Sequence, residues 1–208
     1  SKDEYENAAK NRSVLNSAYA LLEKYYAICE CFSEFEKSAF DISMNTLLYR
    51  SNSIIPFFEG RSLLQRRLLA LLTTSSLYLK TAPKHVSDLT GSIDGKRVFS
   101  DLKHQICGKD PSFEIFEELR NHAQHVDFPI WSYGLRSNRA SESEHVEHGV
   151  SITAQREMVT QRPRRASKKA SAIEKLDSRY DLRSGIRDYV DCIARLHHSV
   201  WEHVTPCL

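Results

Sequence analysis

The segment LNSAYALLEKYYAICECF, residues 15–32, decides the fold class of this chain. Its apolar residues recur at alternating intervals of three and four positions, which places them along one face of an α-helix. They are Leu15, Ala18, Leu22, Tyr25, Cys29 and Phe32. The pattern predicts a helix from about Glu4 to Ala39 with one buried face. A coiled coil is the alternative, but the repeat is short and rich in aromatic residues, which favours packing in a core.

Residues 41–56 are ambiguous, because Asn and Ser separate the apolar side chains and because Pro56 disfavours helix at Ile55. A second helix follows, with leucines at helical spacing on its predicted buried face and arginines outside it. The leucines are Leu64, Leu68, Leu71, Leu72 and Leu79, and the arginines are Arg61, Arg66 and Arg67. This helix is predicted to end near Ala82 and Pro83. Residues 83–96 contain the turn signals TGS and DG and are predicted to form a connection.

Helix boundaries are marked more sharply in the second half of the chain. A short helix is predicted over Arg97–Cys107, with Gly108 as its C-terminal cap. Asp110-Pro111 starts another, because Asp accepts hydrogen bonds from exposed N–H groups and Pro suits the first helical position. The last helix is defined by apolar residues at helical spacing. They are Leu182, Ile186, Val190, Ile193, Leu196, Val200 and Val204.

Residues 128–160 have a different pattern. Phe128–Tyr133 is aromatic and β-branched, Val150–Thr153 alternates, and Met158 and Val159 extend it. These features predict a β-hairpin whose polar loop covers Ser137–Gly149. No internal repeat is evident, and 208 residues are enough for one core. We therefore expect a mainly α, single domain over residues 1–208, with 128–160 as a hairpin insertion and 161–208 returning to the helical bundle.

The composition is that of a globular protein, with 41% hydrophobic and 27% charged residues. The net charge of +2 neither requires nor excludes a nucleic-acid partner. No apolar run approaches the ~18 residues that span a bilayer, and the polar start shows no signal-peptide pattern, so no membrane partner is expected. Five cysteines at 29, 31, 107, 192 and 207 form no spaced framework. They are predicted to be reduced, buried or half-buried thiols in a cytoplasmic protein.

The stretch ELRNHAQH, residues 118–125, carries the groups that metal-free RNA cleavage needs. In that reaction the 2′-hydroxyl attacks the adjacent phosphorus and the 5′-oxygen leaves, with a base, an acid and a cation assisting. His125 can act as base or acid near neutral pH, and the planar fork of Arg120 matches phosphate oxygens. On a straight helix the two side chains point about 140° apart, so they converge only if the helix distorts or ends near His125. The ordinary alternative is an exposed Arg and a His that interacts with the helix dipole.

These residues resemble the signature of the HEPN superfamily, in which an Arg is followed by a polar residue, often Asn, and then by a His four to six positions later. Here Arg120 and Asn121 open the pattern and His125 closes it. The setting of the motif, on a late helix of a helical protein, also resembles the family. The resemblance covers about Glu4–His125 and the C-terminal helices, and it implies a HEPN-like helical bundle with a small β-hairpin insertion.

The resemblance also implies a function. HEPN proteins are typically metal-independent endoribonucleases of toxin–antitoxin, phage-defence and CRISPR systems, and they need no cofactor. They usually form homodimers in which two motifs share one cleft. Two copies of His125 would then divide the acid and base roles, two copies of Arg120 would hold the phosphate, and Asn121 would support catalysis. An antitoxin or regulatory protein is a further expected partner, although the Tyr that some HEPN toxins carry two residues after the His is here Asp127.

RNA contacts are predicted beside the motif and in a basic tract. Gln124 and His122 lie within the motif and can contact a phosphate or ribose. The tract packs five cations into eight residues and would form a phosphate-binding arm, a solvated linker being the alternative. Its cations are Arg162, Arg164, Arg165, Lys168 and Lys169. Phe128, Trp131 and Tyr133 could stack on bases, but packing in a core or a dimer is favoured.

Two rival interpretations remain at this point. His122 and His125 share a helical face, and further histidines follow at 145, 148, 197, 198 and 203, but no HExxH pattern or Cys pair accompanies them, so no metal is predicted. Some HEPN proteins are not catalytic, and a helical module that binds RNA or a protein partner is the alternative function. Catalysis requires Arg120 and His125 to line a cleft with available side chains, whereas the alternative does not.

Overall fold

The computed structural model describes residues 2–49, 54–125, 130, 132–139, 146–155 and 179–207. Within these ranges the helices are α1 (Lys2–Tyr49), α2 (Ile54–Thr90), α3 (Gly95–Cys107), α4 (Pro111–His125) and α5 (Leu182–Val204), followed by a 3₁₀ turn over Thr205–Cys207. The strands are β1 (Ser132–Arg139), β2 (Val146–Gln155) and β3 (Arg179–Asp181). The chain is thus mainly helical with a small antiparallel sheet, as the sequence predicts. None of the described helices has the length and apolarity that crossing a bilayer requires.

Helix α1 runs ten residues beyond its predicted end at Ala39. No Gly or Pro interrupts the sequence from Lys2 to Tyr49, so nothing breaks the helix. Its buried line passes through Leu21, Ile28 and Phe35, whereas Leu15 is 69% exposed. The predicted face is therefore rotated by about one position. Periodicity could not choose between the faces, because adjacent apolar pairs such as residues 21–22 and 25–26 serve both.

Helix α2 contains both prolines that were expected to mark helix boundaries. Pro56 lies in the first turn, where its missing N–H is not needed. Pro83 lies inside the helix, which continues to Thr90, so the predicted end near Ala82 is wrong. Buried residues on both sides of Pro83, Leu79 and Val86, stabilise the continuation. The predicted connection of residues 83–96 shortens to residues 91–94, where Gly91 adopts a φ of 63°.

The predicted starts and ends of the later helices agree with the structure. Helix α3 begins two residues early at Gly95, and the N–H of Gly108 donates to the carbonyl of His104 at 3.0 Å. Gly108 has a φ of −71°, so it caps the helix without the left-handed conformation that such glycines often adopt. Helix α4 begins at Pro111, and α5 covers the last predicted apolar repeat.

The hairpin is confirmed, but its strands are longer than predicted. Strand β1 pairs antiparallel with β2 from Ser132 opposite Thr153 to Arg139 opposite Val146, so most of the predicted loop is strand. Val150, Ile152 and Ala154 are buried, which is the two-residue alternation expected of a half-buried strand. The sheet order is β1-β2-β3, and β3 was not predicted. Three residues of strand give too short a pattern to detect. Residues 158 and 159 lie outside the described residues.

The chain divides into two compact units. Unit 1 comprises Ser1–Glu30, Thr73–Asp110 and Val190–Leu208, and unit 2 comprises Cys31–Leu72 and Pro111–Tyr189. The largest fully buried side chains of unit 1 are Leu21, Ile28, Tyr78 and Phe99. Those of unit 2 are Phe35, Leu64, Leu68, Leu71, Leu72, Phe116, Leu119 and Tyr189. Unit 2 contains α4 and the sheet, so the motif predicted from sequence belongs to it.

The cysteines are not all reduced. Cys107 of α3 and Cys192 of α5 form a disulfide in unit 1, with Cα atoms 5.9 Å apart, and both are fully buried. The prediction of five reduced thiols is therefore wrong for this pair. The pair could not be found from sequence, because 85 positions separate its members. Cys29 and Cys31 are half-buried thiols, as predicted, and the side chain of Cys207 lies outside the described residues.

Candidate functional site

The motif lies on α4, a helix that is buried on most of its circumference. Phe113, Ile115, Phe116 and Leu119 are buried among the apolar residues of unit 2, and Phe116 stacks on Tyr189 with ring centroids 5.2 Å apart. Pro111 starts the helix, and its last turns carry the polar sequence from Arg120 to His125. The motif is therefore held on a rigid, packed element rather than on a loop.

Two adjacent carboxylates of α4 are buried, Glu117 with 6% and Glu118 with 4% of its surface exposed. The hydroxyl of Tyr189 donates to Glu117 Oε1 at 3.4 Å, and Glu117 Oε2 lies 3.5 Å from Arg120 Nη1. A buried carboxylate is costly unless it is hydrogen-bonded or paired. The ion pair between Glu117 and Arg120 was not predicted, although an acid three residues before an arginine on a helix is the signal for such a pair.

Arg120 and Asn121 form the centre of this polar cluster. Arg120 Nη2 donates to Asn121 Oδ1 at 2.7 Å, and Asn121 Nδ2 is 3.4 Å from Glu118 Oε1. Both ends of the Asn121 amide are thereby used, so its role in the structure is to orient Arg120 and Glu118. The Arg120 side chain is 12% exposed, because its charge is directed toward Glu117 and Asn121. One edge of the guanidinium is thus fixed before any ligand arrives.

The other motif residues differ in their surroundings. His122 is buried, with 3% of its surface exposed, and Gln124 is exposed. His125 lies in α4, but its side chain is outside the described residues, as is the basic tract of residues 162–169. The contacts of Gln124, His122 and the tract with RNA remain predictions. The convergence of His125 with Arg120 is likewise a prediction.

The backbone just beyond α4 is tied to α2. The carbonyl of Ile130, which is fully buried, accepts from Gln65 Nε2 at 2.9 Å and from Arg61 Nε at 3.1 Å. Arg61 was expected outside the buried face of its helix, but it serves this structural role. Phe128, Trp131 and Tyr133 were expected to pack in a core or a dimer rather than stack on bases, and their side chains are outside the described residues.

His197, one of the histidines considered as metal ligands, is instead enclosed by aromatic residues of unit 1. Its ring stacks on Tyr25 at 3.9 Å, and its Nε2 and Nδ1 lie 2.8 Å from Trp201 Nε1 and 3.0 Å from the Tyr78 hydroxyl. Burial lowers the pKa of His197 to about 4 and raises that of Tyr25 to about 12. Both ring nitrogens are used, so neither is available to a metal. In the part of the chain that the structure describes, no three His, Cys, Asp or Glu residues are grouped to hold a metal ion.

No known protein family matches the chain, and no curated protein or solved structure is detectably similar to it. The case for a function therefore depends on the geometry of α4 and on the motif.

Proposed function

We propose that this chain is a metal-independent endoribonuclease of the HEPN type that cleaves RNA by attack of the 2′-hydroxyl. Arg120 stabilises the charge that develops on the phosphorane, and His125 exchanges protons with the attacking and leaving oxygens. Two copies of the motif in a homodimer would supply two histidines for the two proton transfers. A toxin or phage-defence effector, restrained by an antitoxin or regulatory protein, is the proposed biological role.

The observation that carries this proposal is the fixed position of the Arg120 guanidinium. Glu117 lies 3.5 Å from one of its terminal nitrogens, and Asn121 accepts from the other at 2.7 Å. A cation that is already oriented stabilises a transition state without reorganising during the reaction. The position of Asn121 directly after the arginine gives the polar residue of the motif a physical purpose, since the amide aligns the guanidinium.

The test uses the full chain, mixed RNA and a chelator that removes divalent metals. The wild type should yield fragments ending in 2′,3′-cyclic phosphate. His125→Ala should slow cleavage about 10²–10⁴-fold, the usual effect of losing a general acid or base. Arg120→Gln should slow it about 10²–10³-fold through lost electrostatic stabilisation.

Matched controls for this test come from the exposed surface of unit 1. His203→Ala and Arg97→Gln remove the same residue types at exposed positions and should retain full activity. Wild type that cleaves none of a varied set of RNAs, or variants at 120 and 125 that cleave as fast as wild type, would sink the proposal.

The second candidate is a non-catalytic helical module that binds a partner. A specific observation favours it, namely that Arg120 is mostly buried against a carboxylate of its own helix, as a structural ion pair would be. Arg120→Gln lowers the free energy of unfolding under either candidate, because it leaves Glu117 buried without its cation. Under this alternative, however, neither the wild type nor any variant cleaves RNA. Cleavage by the wild type therefore separates the two candidates, and measuring stability beside activity separates a loss of catalysis from a loss of folding.

The proposed location follows from the substrate. RNA is found in the cytoplasm, but a Cys107–Cys192 disulfide is typical of oxidising compartments. Because two of the five cysteines form this disulfide, reduced thiols no longer support a cytoplasmic location. Trapping the thiols with an alkylating agent at the moment of cell lysis reports the state of this pair in the cell.

A further inference from the structure

The two helix ends around residues 40–58 expose an unusual amount of apolar surface in unit 2. Seven large apolar side chains there are between 36% and 66% exposed. We call them the apolar tip: Phe40, Met44, Leu47 and Leu48 of α1, and Ile55, Phe57 and Phe58 of α2. None of the described side chains from Met44 to Glu59 is buried, so both helices extend beyond the core that stabilises them. Helical turns that bury little apolar surface are marginal in water.

We propose that the apolar tip is a self-association surface that is covered by the same surface of a second copy of this chain. The proposal goes beyond RNA cleavage and does not depend on it. It concerns a contact between copies at the apolar tip, separate from the cleft that two motifs would share, and it is drawn from the seven side chains named above.

The exposed area fits this occupant. From the exposed fractions, the seven side chains leave roughly 500 Å² of apolar surface in water, taking about 200 Å² for a phenylalanine and about 100 Å² for an aliphatic side chain. The largest apolar patch of an ordinary monomer is about 300–600 Å². A stable dimer buries about 800 Å² on each partner. The apolar tip therefore lies in the upper part of the range for monomers, and it matches the apolar share, roughly 60%, of one side of a dimer interface.

The spacing on α1 indicates a helix as the opposing element. Phe40, Met44 and Leu47 follow one another at intervals of four and three, the spacing of the seam along which two helices pack. Leu48 lies beside this seam on α1, and Phe58 adds apolar surface from α2. The Phe57 and Phe58 rings contact each other edge to face, with centroids 5.9 Å apart. The same helical seam on another copy has the complementary spacing.

The charges near the tip also favour a second copy. Between residues 42 and 58 the sequence contains a single Lys, Arg, Asp or Glu, which is Arg50. Pairing of identical surfaces brings identical charges together, and this stretch has almost none to repel. A membrane surface is a poorer fit, because helices that lie on anionic bilayers carry several Lys or Arg residues beside their apolar face.

The test measures the oligomeric state of the full chain by sedimentation velocity over a wide range of concentration. The wild type should be a dimer that dissociates on dilution. Leu48→Lys and Phe58→Lys should each weaken the dimer by at least about 100-fold, because a symmetric interface contains each substitution twice. The control is Ile93→Lys, at a position that is 92% exposed in unit 1, and it should dimerise like wild type. A wild type that stays monomeric, or tip variants that dimerise as tightly as it does, overturns the proposal.

A second measurement needs no variant. Amide hydrogen exchange in residues 40–58 of the wild type should be slower at concentrations where the dimer forms than at dilution. If the protein dimerises but exchange in residues 40–58 does not slow, the interface lies outside these residues, and the proposal is overturned. Anionic phospholipid vesicles provide the membrane arm. A monomer that sediments with vesicles through Leu48 and Phe58 also overturns it, in favour of a lipid surface. None of these measurements contains RNA, so their outcome is separate from that of the ribonuclease test.

Discussion

Lowering the pH should destabilise unit 1 through one residue, His197. Trp201 Nε1–H can only donate, and it lies 2.8 Å from His197 Nε2, so Nε2 must carry a lone pair. The neutral ring then donates from Nδ1 to the Tyr78 hydroxyl at 3.0 Å. Protonation would place an N–H of the imidazolium against the N–H of Trp201. His197 has 6% of its surface exposed, so no water shell is available to compensate.

The magnitude follows from the pKa of His197. Burial lowers it from 6.5 to about 4, and repulsion from His198 contributes in the same direction. The unfolded chain therefore binds more protons than the folded chain between these two values, so stability falls as the pH is lowered from about 6.5 toward 4. The difference between 6.5 and about 4 corresponds to about 3 kcal/mol of the free energy of unfolding, and all of this stability is lost once the pH is below the pKa of the folded chain.

The assay compares wild type with His197→Gln by urea unfolding at a series of pH values. Gln keeps one donor and one acceptor but does not titrate, and the other histidines contribute equally to both proteins. Wild type should be the more stable protein near neutral pH, and its advantage should shrink by about 3 kcal/mol by about pH 4. An NMR titration of the His197 ring measures the pKa directly. Parallel loss of stability in the two proteins, or a ring that titrates near 6.5, refutes the hydrogen-bond arrangement assigned to His197.

Two other predictions concern stability. Replacing both Cys107 and Cys192 by Ala should lower the free energy of unfolding by about 4 kcal/mol in denaturant titrations, because the bond closes a loop of 85 residues; equal stability of oxidised and reduced wild type would contradict this. Glu36→Gln should cost about 1–2 kcal/mol at pH 7, a value reduced because Arg187 is more than half exposed. Glu36 accepts from Arg183 and Arg187, and these contacts lower its pKa against the opposing effect of burial. The stability that ionised Glu36 contributes is present above the pKa of this carboxyl in the unfolded chain and disappears as the pH falls. The free energies of unfolding of wild type and variant should therefore converge in acid. If the difference in free energy of unfolding instead grows in acid, the predicted direction of this pH dependence is wrong.

The sequence predicts helices where periodicity and end signals agree. Asp110-Pro111 and the apolar repeat from Leu182 to Val204 each give the start or the extent of a helix correctly. Pro83 wrongly predicts the end of α2, because the loss of one backbone hydrogen bond is outweighed by the burial of residues on both sides of it. Sequence rules for helix ends contain no information about that burial. The missed strand β3 has the same cause, since three residues pair with β2 only through tertiary structure.

The candidate site is predicted only in part for a related reason. The motif from Arg120 to His125 is legible in the sequence, and its helix is where the end signals place it. The burial of Glu117 and Glu118 could not be foreseen, because carboxylates are almost always expected at the surface. Tyr189 lies 72 positions from Glu117 and reaches it through the packing of unit 2. Residues that orient a site are thus less visible in sequence than residues that carry its chemistry.

The charges of α4 limit how a phosphate could be held near Arg120. The helix carries three glutamates and one arginine, and two of the glutamates are buried beside that arginine. A phosphodiester adds a further negative charge, and its desolvation costs several kcal/mol unless positive charge meets it. A second copy of α4 leaves the ratio of carboxylates to guanidinium groups unchanged, because it adds three carboxylates together with one guanidinium. The additional positive charge must come from protonation of a histidine of α4, His122 or His125, or from outside α4. Residues 162–169, with five cations in eight positions, are its densest source in the sequence. If the chain cleaves RNA, its affinity for RNA therefore depends on the basic tract at least as much as on the motif.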